Sequence, residues 1–203
     1  MIQRIGVIGG GQLGRMFALD AKRMGYDVIV LDPQPHSPCG QVADEQIVAE
    51  YHDMAAIDRL GRETDIVTYE FENIAIESVE YLETHGYRVT PSSNVLRITQ
   101  DRVLEKRFIR ECGIPVADFE PIGRLEDITR AALTVGFPAI LKTARGGYDG
   151  KGQWRIEGSS GAKHAFSQAR GAELIWERFV PFERELSVVA TRNARDEVVT
   201  YPP

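Results

Sequence analysis

Apolar and polar residues alternate along this chain in blocks whose period switches repeatedly between that of a strand and that of a helix. Arg4–Ile8 is a short apolar run that predicts a strand, and it enters Gly9-Gly10-Gly11-Gln12-Leu13-Gly14 directly. Over Gln12–Met24, Leu13, Met16, Phe17, Ala21 and Met24 recur at helical spacing, and Gly25 supplies a stop. Val28–Leu31 then predicts a buried, parallel-type strand that ends at Asp32. Strand, glycine turn, helix and strand make a βαβ unit, whose connection is expected to be right-handed.

The alternation continues. A brief strand is expected around Gln46-Ile47-Val48, and an amphipathic helix over Met54–Arg62 with Met54, Ile57 and Leu60 on one side. Asp65–Tyr69 predicts a strand that delivers Glu70-Phe71-Glu72-Asn73 to the carboxyl edge of the sheet, where open α/β sheets bind ligands. Carboxylates there suit a substrate amine or hydroxyls, or simply a solvated loop and helix start. A helix over Ile76–Thr84 and a strand over Tyr87–Thr90, stopped by Pro91, complete a parallel-sheet domain over residues 1–92. Ser92-Ser93-Asn94 offer N-caps for one longer helix through Cys112, which makes residues 93–115 a link. Arg102, Lys106 and Arg107 are its cationic members.

The second half reads as a different domain. A helix over Ile128–Val135 stops at Gly136-Phe137-Pro138, and Phe137–Leu141 and Trp154–Ile156 flank a glycine-rich segment as two strands. Ser159–Arg170 predicts a helix, and Glu173–Trp176 a strand leading into Glu177-Arg178-Phe179-Val180. Glu185–Ala190 is expected as a further strand, with Val198–Tyr201 beginning its hairpin return. The fold class implied is α/β.

Composition narrows the function classes. The 203 residues are 43% hydrophobic and 27% charged, ordinary for a globular protein. A formal net charge of -6 argues against general nucleic-acid affinity, yet leaves room for a local basic pocket. Cys39 and Cys112 lack metal-ligand spacing and suit two lone thiols in a reducing cytoplasm. The N-terminus shows no signal-peptide pattern, and no apolar run approaches the roughly 18 residues of a membrane span.

Two stretches carry candidate chemistry. Gly9–Gly14 satisfies G-x-G-x-x-G, and Asp32 lies 18 residues beyond Gly14, near where a dinucleotide fold keeps its ribose acid. That pattern admits a nicotinamide-dependent oxidoreductase; the same glycines also serve any helix packed tightly after a strand. The other stretch is Lys142-Thr143-Ala144-Arg145-Gly146-Gly147-Tyr148-Asp149-Gly150-Lys151-Gly152-Gln153. A lysine at a strand end followed by four glycines and a second lysine describes a cationic flap able to wrap phosphates, or else a solvated hairpin. Glu177-Arg178-Phe179-Val180 can offer an acceptor beside an exposed backbone edge, which suits adenine. Glu185 can accept from ribose hydroxyls, and Arg102 can reach phosphates from the linking helix.

Taken in order, Gly9–Met16 (GGGQLGRM), Tyr69-Glu70-Phe71-Glu72, Gln100-Asp101-Arg102, Lys142, Gly146–Gln153 and Glu185-Leu186-Ser187 resemble the N5-carboxyaminoimidazole ribonucleotide synthases of the ATP-grasp family. The resemblance covers nearly the whole chain, and the pairing of GQLGRM with GGYDGKGQ is its specific part. It implies a pre-ATP-grasp, Rossmann-like domain followed by an incomplete ATP-grasp domain, with residues 116–185 as the small lid subdomain and 186–203 as the start of the large one. It also implies a cytoplasmic, homodimeric carbon–nitrogen ligase of purine biosynthesis. Such an enzyme joins ATP, bicarbonate and 5-aminoimidazole ribonucleotide, with Mg²⁺ neutralising charge during phosphoryl transfer.

By matching motif, the resemblance gives the ATP phosphates to Arg102, Lys142 and Gly147, Tyr148, Asp149, Gly150, Lys151, Gly152 and Gln153. Adenine falls to Glu177, Arg178, Phe179 and Val180, and the ribose to Glu185. The ribonucleotide substrate falls to Gly11, Gln12, Leu13 and Glu72, with Tyr148 bordering both ligands, and Asp32 keeps no cofactor role. Family members continue well past the position of Pro203 and carry their metal-binding Glu and Asn there. The expectation is therefore a piece of the enzyme that does not turn over alone, with no metal ligands and with its catalytic base elsewhere; a non-catalytic nucleotide-binding module is the other outcome.

Overall fold

Parallel pairing organises the first half of the computed structural model, which describes residues 2–146 and 152–203. In chain order its elements are β1 (Arg4–Ile8), α1 (Gln12–Arg23), β2 (Asp27–Leu31), β3 (Glu45–Ile47), α2 (Met54–Glu63), β4 (Ile66–Tyr69) and α3 (Ile76–Thr84). The sheet runs β3-β2-β1-β4, all parallel, with Ile5 opposite Val28 on one side and Ile66 on the other. Its strands are apolar on both faces because both are covered. Ile8, Ile29 and Leu31 pack with Ile57, Leu60, Val79 and Leu82 of α2 and α3. Val7, Val28 and Val30 pack instead with Ala18 and Ala21 of α1. The strand expected over Tyr87–Thr90 shrinks to one bridge, Val67 to Val89. Pro91 follows at once and has no N–H with which to extend the ladder.

The single linking helix expected after Ser92 is two helices, α4 (Ser93–Thr99) and α5 (Arg102–Glu111). Asp101 makes the break. Its backbone is extended, at φ -127 and ψ 112, and its Oδ1 accepts from the N–H groups of Val103 at 2.9 Å and Leu104 at 3.2 Å. That N-cap starts a new helix where apolar periodicity alone runs on unbroken.

The second half contains β5 (Phe119–Ile122), α6 (Leu125–Thr134), β6 (Ala139–Thr143), β7 (Gln153–Ile156), α7 (Ser159–Gln168) and β8 (Leu174–Arg178). These strands form an antiparallel sheet in the order β5-β8-β6-β7. The sequence pattern gives no sign of β5, whose Pro121 is tolerated because the strand lies at the sheet edge. Leu141, Leu174 and the fully buried Trp176 face Ile128 and Ala131 of α6 and Ala162 and Ala165 of α7. The other face carries Ile175 and Phe119 against Val103 of α5.

Two expectations fail here for one reason, the order of strand pairing. β8 is central, bonded to β5 and β6, so Glu177 and Arg178 do not stand at an exposed backbone edge. The strand expected over Glu185–Ala190 survives only as β9 (Ala190–Arg192), which pairs with β10 (Val198–Thr200) in an exposed antiparallel hairpin. Among the described residues nothing pairs with the backbone of 185–188 as a strand, and Glu185 is exposed on an extended segment.

Candidate functional site

The glycine turn is occupied by the protein's own carboxylates. Gly9 takes φ +101, which glycine adopts without strain. Asp32, only 7% exposed, accepts through Oδ2 from Gly10 N–H at 2.7 Å and from the Tyr51 hydroxyl at 2.7 Å, and through Oδ1 from Gln34 N–H at 2.8 Å. Glu70, delivered by β4, accepts from Gly11 N–H at 2.6 Å and from Gly14 N–H at 2.5 Å. The N-terminus of α1 thus already holds an anion, satisfying backbone donors that the helix leaves open. A dinucleotide would need those amides for its pyrophosphate and Asp32 for its ribose. Both are committed inside the fold, which is the physical reason the oxidoreductase alternative fails.

A second cluster forms where α5 crosses the open face of the second sheet. Lys142 near the end of β6 donates to Oε2 of Glu177 on β8 at 2.9 Å, and Lys106 of α5 stands 3.4 Å from the same oxygen. The Glu177 side chain is 8% exposed and its Oε1 is buried without a hydrogen-bond partner. The Lys106 ammonium also lies 5.9 Å from the Phe119 ring centre. Backbone contacts lock α5 onto the strand end: Arg102 N–H donates to Ala144 O at 2.9 Å, and the Arg102 guanidinium to Thr143 O at 3.0 Å.

Beside this cluster lies a cleft of about 290 Å³ lined by Glu72, Thr99, Gln100, Arg102, Glu105 and Gly146. The Gln100 amide donates to Glu72 O at 2.7 Å and Ile74 O at 2.8 Å, fixing the loop after β4 against the end of α4. Burial raises the Glu105 carboxyl above its ordinary range, against the opposing charges of Arg102 and Lys106. The cleft therefore sets the Arg102 cation beside two acids, Glu72 from the loop after β4 and Glu105 from α5.

Of the residues singled out from sequence, Glu72 and Arg102 meet in this cleft, and Lys142 pairs directly with Glu177 beside it. Gly152 and Gln153 close the base of the β6–β7 hairpin, with Thr143 N–H donating to Gly152 O at 2.8 Å and Lys142 opposite Gln153. Gly147, Tyr148, Asp149, Gly150 and Lys151 lie outside the described residues. Arg178 pairs with Asp118 at 3.1 Å, Phe179 N–H donates to Pro138 O, and the Arg155 guanidinium stacks 4.2 Å from the Phe179 ring. Val180 is exposed. Leu13 lines a separate hollow of about 200 Å³ with Gly14, Phe17, Tyr69 and Glu70, so the Gly11–Leu13 turn and the Arg102 cleft are distinct places. Sequence reasoning named Glu70 only as one of two carboxylates able to meet a substrate, not as the holder of the glycine turn, and gave Asp101 and Lys106 no role at the site. Lys106 lies three residues after the buried Val103, so helical period turns it inward, and that was its one legible signal.

Two family models divide the chain between them: the ribonucleotide synthetase preATP-grasp domain matches residues 2–100, and the ATP-grasp domain matches residues 107–203. The chain belongs to the ATP-grasp family. Its parallel first domain and antiparallel second sheet are the pre-ATP-grasp domain and part of an ATP-grasp domain. Within the family it is similar to the N5-carboxyaminoimidazole ribonucleotide synthase of Bacillus subtilis (strain 168), at 44% identity over 198 residues, 98% of this chain and 52% of that protein. A crystal structure of an N5-carboxyaminoimidazole ribonucleotide synthetase in complex with ADP superposes with TM-score 0.93 at 46% identity, covering 98% of this chain and 53% of that one. The synthase of Aspergillus clavatus, solved with ADP and 5-aminoimidazole ribonucleotide, superposes with TM-score 0.88 at 27% identity over 99% of this chain and 52% of that one. The chain spans about half the length of the relatives it matches.

Proposed function

We propose that this chain is the nucleotide-holding portion of an ATP-dependent carbon–nitrogen ligase. The reaction carboxylates 5-aminoimidazole ribonucleotide with bicarbonate and yields the N5-carboxyamino product, ADP and phosphate in purine biosynthesis. The observation that carries the reading is the part-buried Lys142–Glu177 pair at 2.9 Å, with Lys106 3.4 Å from the same oxygen, beside the cleft that Arg102 and Glu72 line. The Glu177 carboxylate is an acceptor, and the amino group of adenine is a donor. Clustered cations beside it suit a phosphate tail, whose charge such groups offset during phosphoryl transfer.

In this reading Arg102, Lys142 and the Gly147–Gln153 flap hold the phosphates, Glu177–Val180 the adenine and Glu185 the ribose. The ribonucleotide approaches Glu72, Gln12 and Leu13 from the outer side of the glycine turn, because Gly11 N–H and Gly14 N–H are held by Glu70. The domains divide at 1–92, 93–115, 116–185 and 186–203. Among the described residues no group of three or more His, Cys, Asp or Glu side chains is placed to hold a metal ion. Arg102 in the cleft, with Lys106 and Lys142 in the cluster beside it, meets the phosphate charge in this reading. No described helix is long and apolar enough to cross a membrane. The whole protein is read as a cytoplasmic homodimer, as the resemblance implies.

Calorimetric titration of the 203-residue chain with ATP, NAD and 5-aminoimidazole ribonucleotide tests the reading. ATP is expected to bind and NAD not to; heat from NAD with none from ATP would reverse it.

A further inference from the structure

One side-chain amide holds the loop that carries Glu72. The Nε2 group of Gln100 donates to Glu72 O at 2.7 Å and to Ile74 O at 2.8 Å, across 28 and 26 positions of sequence. A primary amide has two N–H hydrogens, so both are spent on this loop. Gln100 is itself fixed. It is the C-cap of α4, its N–H donates to Leu96 O at 2.9 Å, and Leu96 and Ile74 belong to one buried core. The stretch between β4 and α3 has no ladder or helix of its own. Glu70 ties its start to the glycine turn through Gly11 and Gly14, and Gln100 ties it from the other side. Glu72 stands between these two anchors, at the cleft that Gln100 and Arg102 also line. The next two residues grip the segment after β6: Asp101 takes the Arg145 guanidinium at 3.2 Å, and Arg102 N–H donates to Ala144 O at 2.9 Å. Of three consecutive residues, Gln100 thus holds the first domain and its neighbours hold the second.

We propose that Gln100 is a positioning residue for the ribonucleotide: its amide holds the loop after β4 so that the Glu72 carboxylate stands at the cleft before the substrate arrives. The proposal rests on the reading above, which gives Glu72 to the ribonucleotide. A loop free to sample other shapes has to be ordered on binding, and that cost lowers the affinity. Methionine is close to glutamine in length and offers no N–H, so Gln100→Met releases both carbonyls while Glu72 and Arg102 remain in the chain. The loss then falls on the ribonucleotide. ATP keeps its affinity, because the Arg102 and Lys142 contacts are set by the backbone of β6 and α5, which the Gln100 side chain does not touch.

The test is calorimetric titration of ATP and of 5-aminoimidazole ribonucleotide into the wild-type chain, Gln100→Met, Glu72→Ala and the double variant. Gln100→Met is expected to weaken the ribonucleotide about tenfold, the scale of a hydrogen bond or two, and ATP by less than about twofold. In the Glu72→Ala background Gln100→Met is expected to make no further difference to the ribonucleotide, because it acts through Glu72. A merely structural role predicts otherwise: both ligands weaken together, or the loss persists without Glu72, and either result overturns the proposal. Unchanged ribonucleotide affinity in either single variant does so too. A wild-type chain that binds ATP but no ribonucleotide overturns the proposal and leaves the nucleotide reading standing, whereas one that binds neither overturns both. Gln100→Asn, which keeps both N–H groups one carbon short of the loop, gives the same comparison if the methionine variant does not fold.

Discussion

Glu70 and Gly14 are joined by a 2.5 Å hydrogen bond from the first turn of α1 to the carboxylate, whose other oxygen takes Gly11 N–H. A residue 56 positions away in sequence thereby supplies the anion that the helix N-terminus favours. Glu70→Ala is expected to lower unfolding stability by about 1–3 kcal/mol, the scale of leaving buried donors without a charged acceptor. Urea unfolding measures it, with ATP affinity expected to hold. A variant as stable as the wild type would show that the carboxylate contributes nothing there.

Gly14 itself is set by close packing. A Cβ at this position would stand 2.8 Å from Gly9 O and 3.0 Å from Glu70 Oε2, and the first of these is backbone that cannot swing aside. Gly14→Ala is therefore expected to destabilise by about 1–3 kcal/mol through overpacking. The expected signature in thermal melts is a lower Tm that ADP or ATP does not selectively rescue, since the strain lies in the turn and not in the nucleotide cleft.

These contacts mark the limit of what the sequence discloses. Strands β1, β2 and β4 were legible because both sheet faces are covered, which leaves uninterrupted apolar runs such as Val28–Leu31. The role of Glu70 was not legible, because Tyr69-Glu70-Phe71-Glu72 offers two acids and only the register of β4 against β1 sends one of them into the glycine turn. Glu177 was named as a ligand acceptor, yet its burial depends on β8 lying between β5 and β6, an order that alternation along one strand does not encode. Pairing of Lys142 with Glu177 spans 35 positions and follows from that order alone.

Asp101 gives a prediction of the same kind for the linking region. Its Oδ1 caps α5 through Val103 and Leu104, and its Oδ2 takes the Arg145 guanidinium at 3.2 Å. Asp101→Ala is expected to cost about 1–2 kcal/mol, as for other N-cap losses, and Asp101→Asn less, since an amide oxygen still caps. Chemical denaturation of the two variants checks the order; equal losses would place the weight on the Arg145 pair.

Cys39 is buried behind the glycine turn. Burial, then the charges of Glu70 and Asp32, push its thiol from 9.0 to about 11. Folding holds this proton more tightly than the unfolded chain does, so the stabilisation is complete below pH 9 and is lost as pH rises from 9 to 11. Stability is expected to fall across that window, and Cys39→Ala to flatten the slope. At pH 8 a thiol reagent is expected to modify only the exposed Cys112 in the native chain and both cysteines after denaturation. Rapid native labelling of both would contradict the burial argument.

The last prediction separates the members of the cationic cluster by what each leaves behind. Lys142→Met removes one ammonium, but Glu177 keeps Lys106 at 3.4 Å, so the acid is not stranded. Glu177→Met instead removes the carboxylate that Lys106 and Lys142 share and sets two ammonium groups against each other where the acid was 8% exposed. Breaking a buried pair this way costs about 3–5 kcal/mol, whereas Lys142→Met is expected to cost about 1 kcal/mol, the scale of a partly exposed pair. Both substitutions are expected to weaken ATP binding in titration, so affinity alone does not tell them apart. Their stabilities do: a Lys142→Met chain as unstable as Glu177→Met would mean that Lys106 does not share the carboxylate.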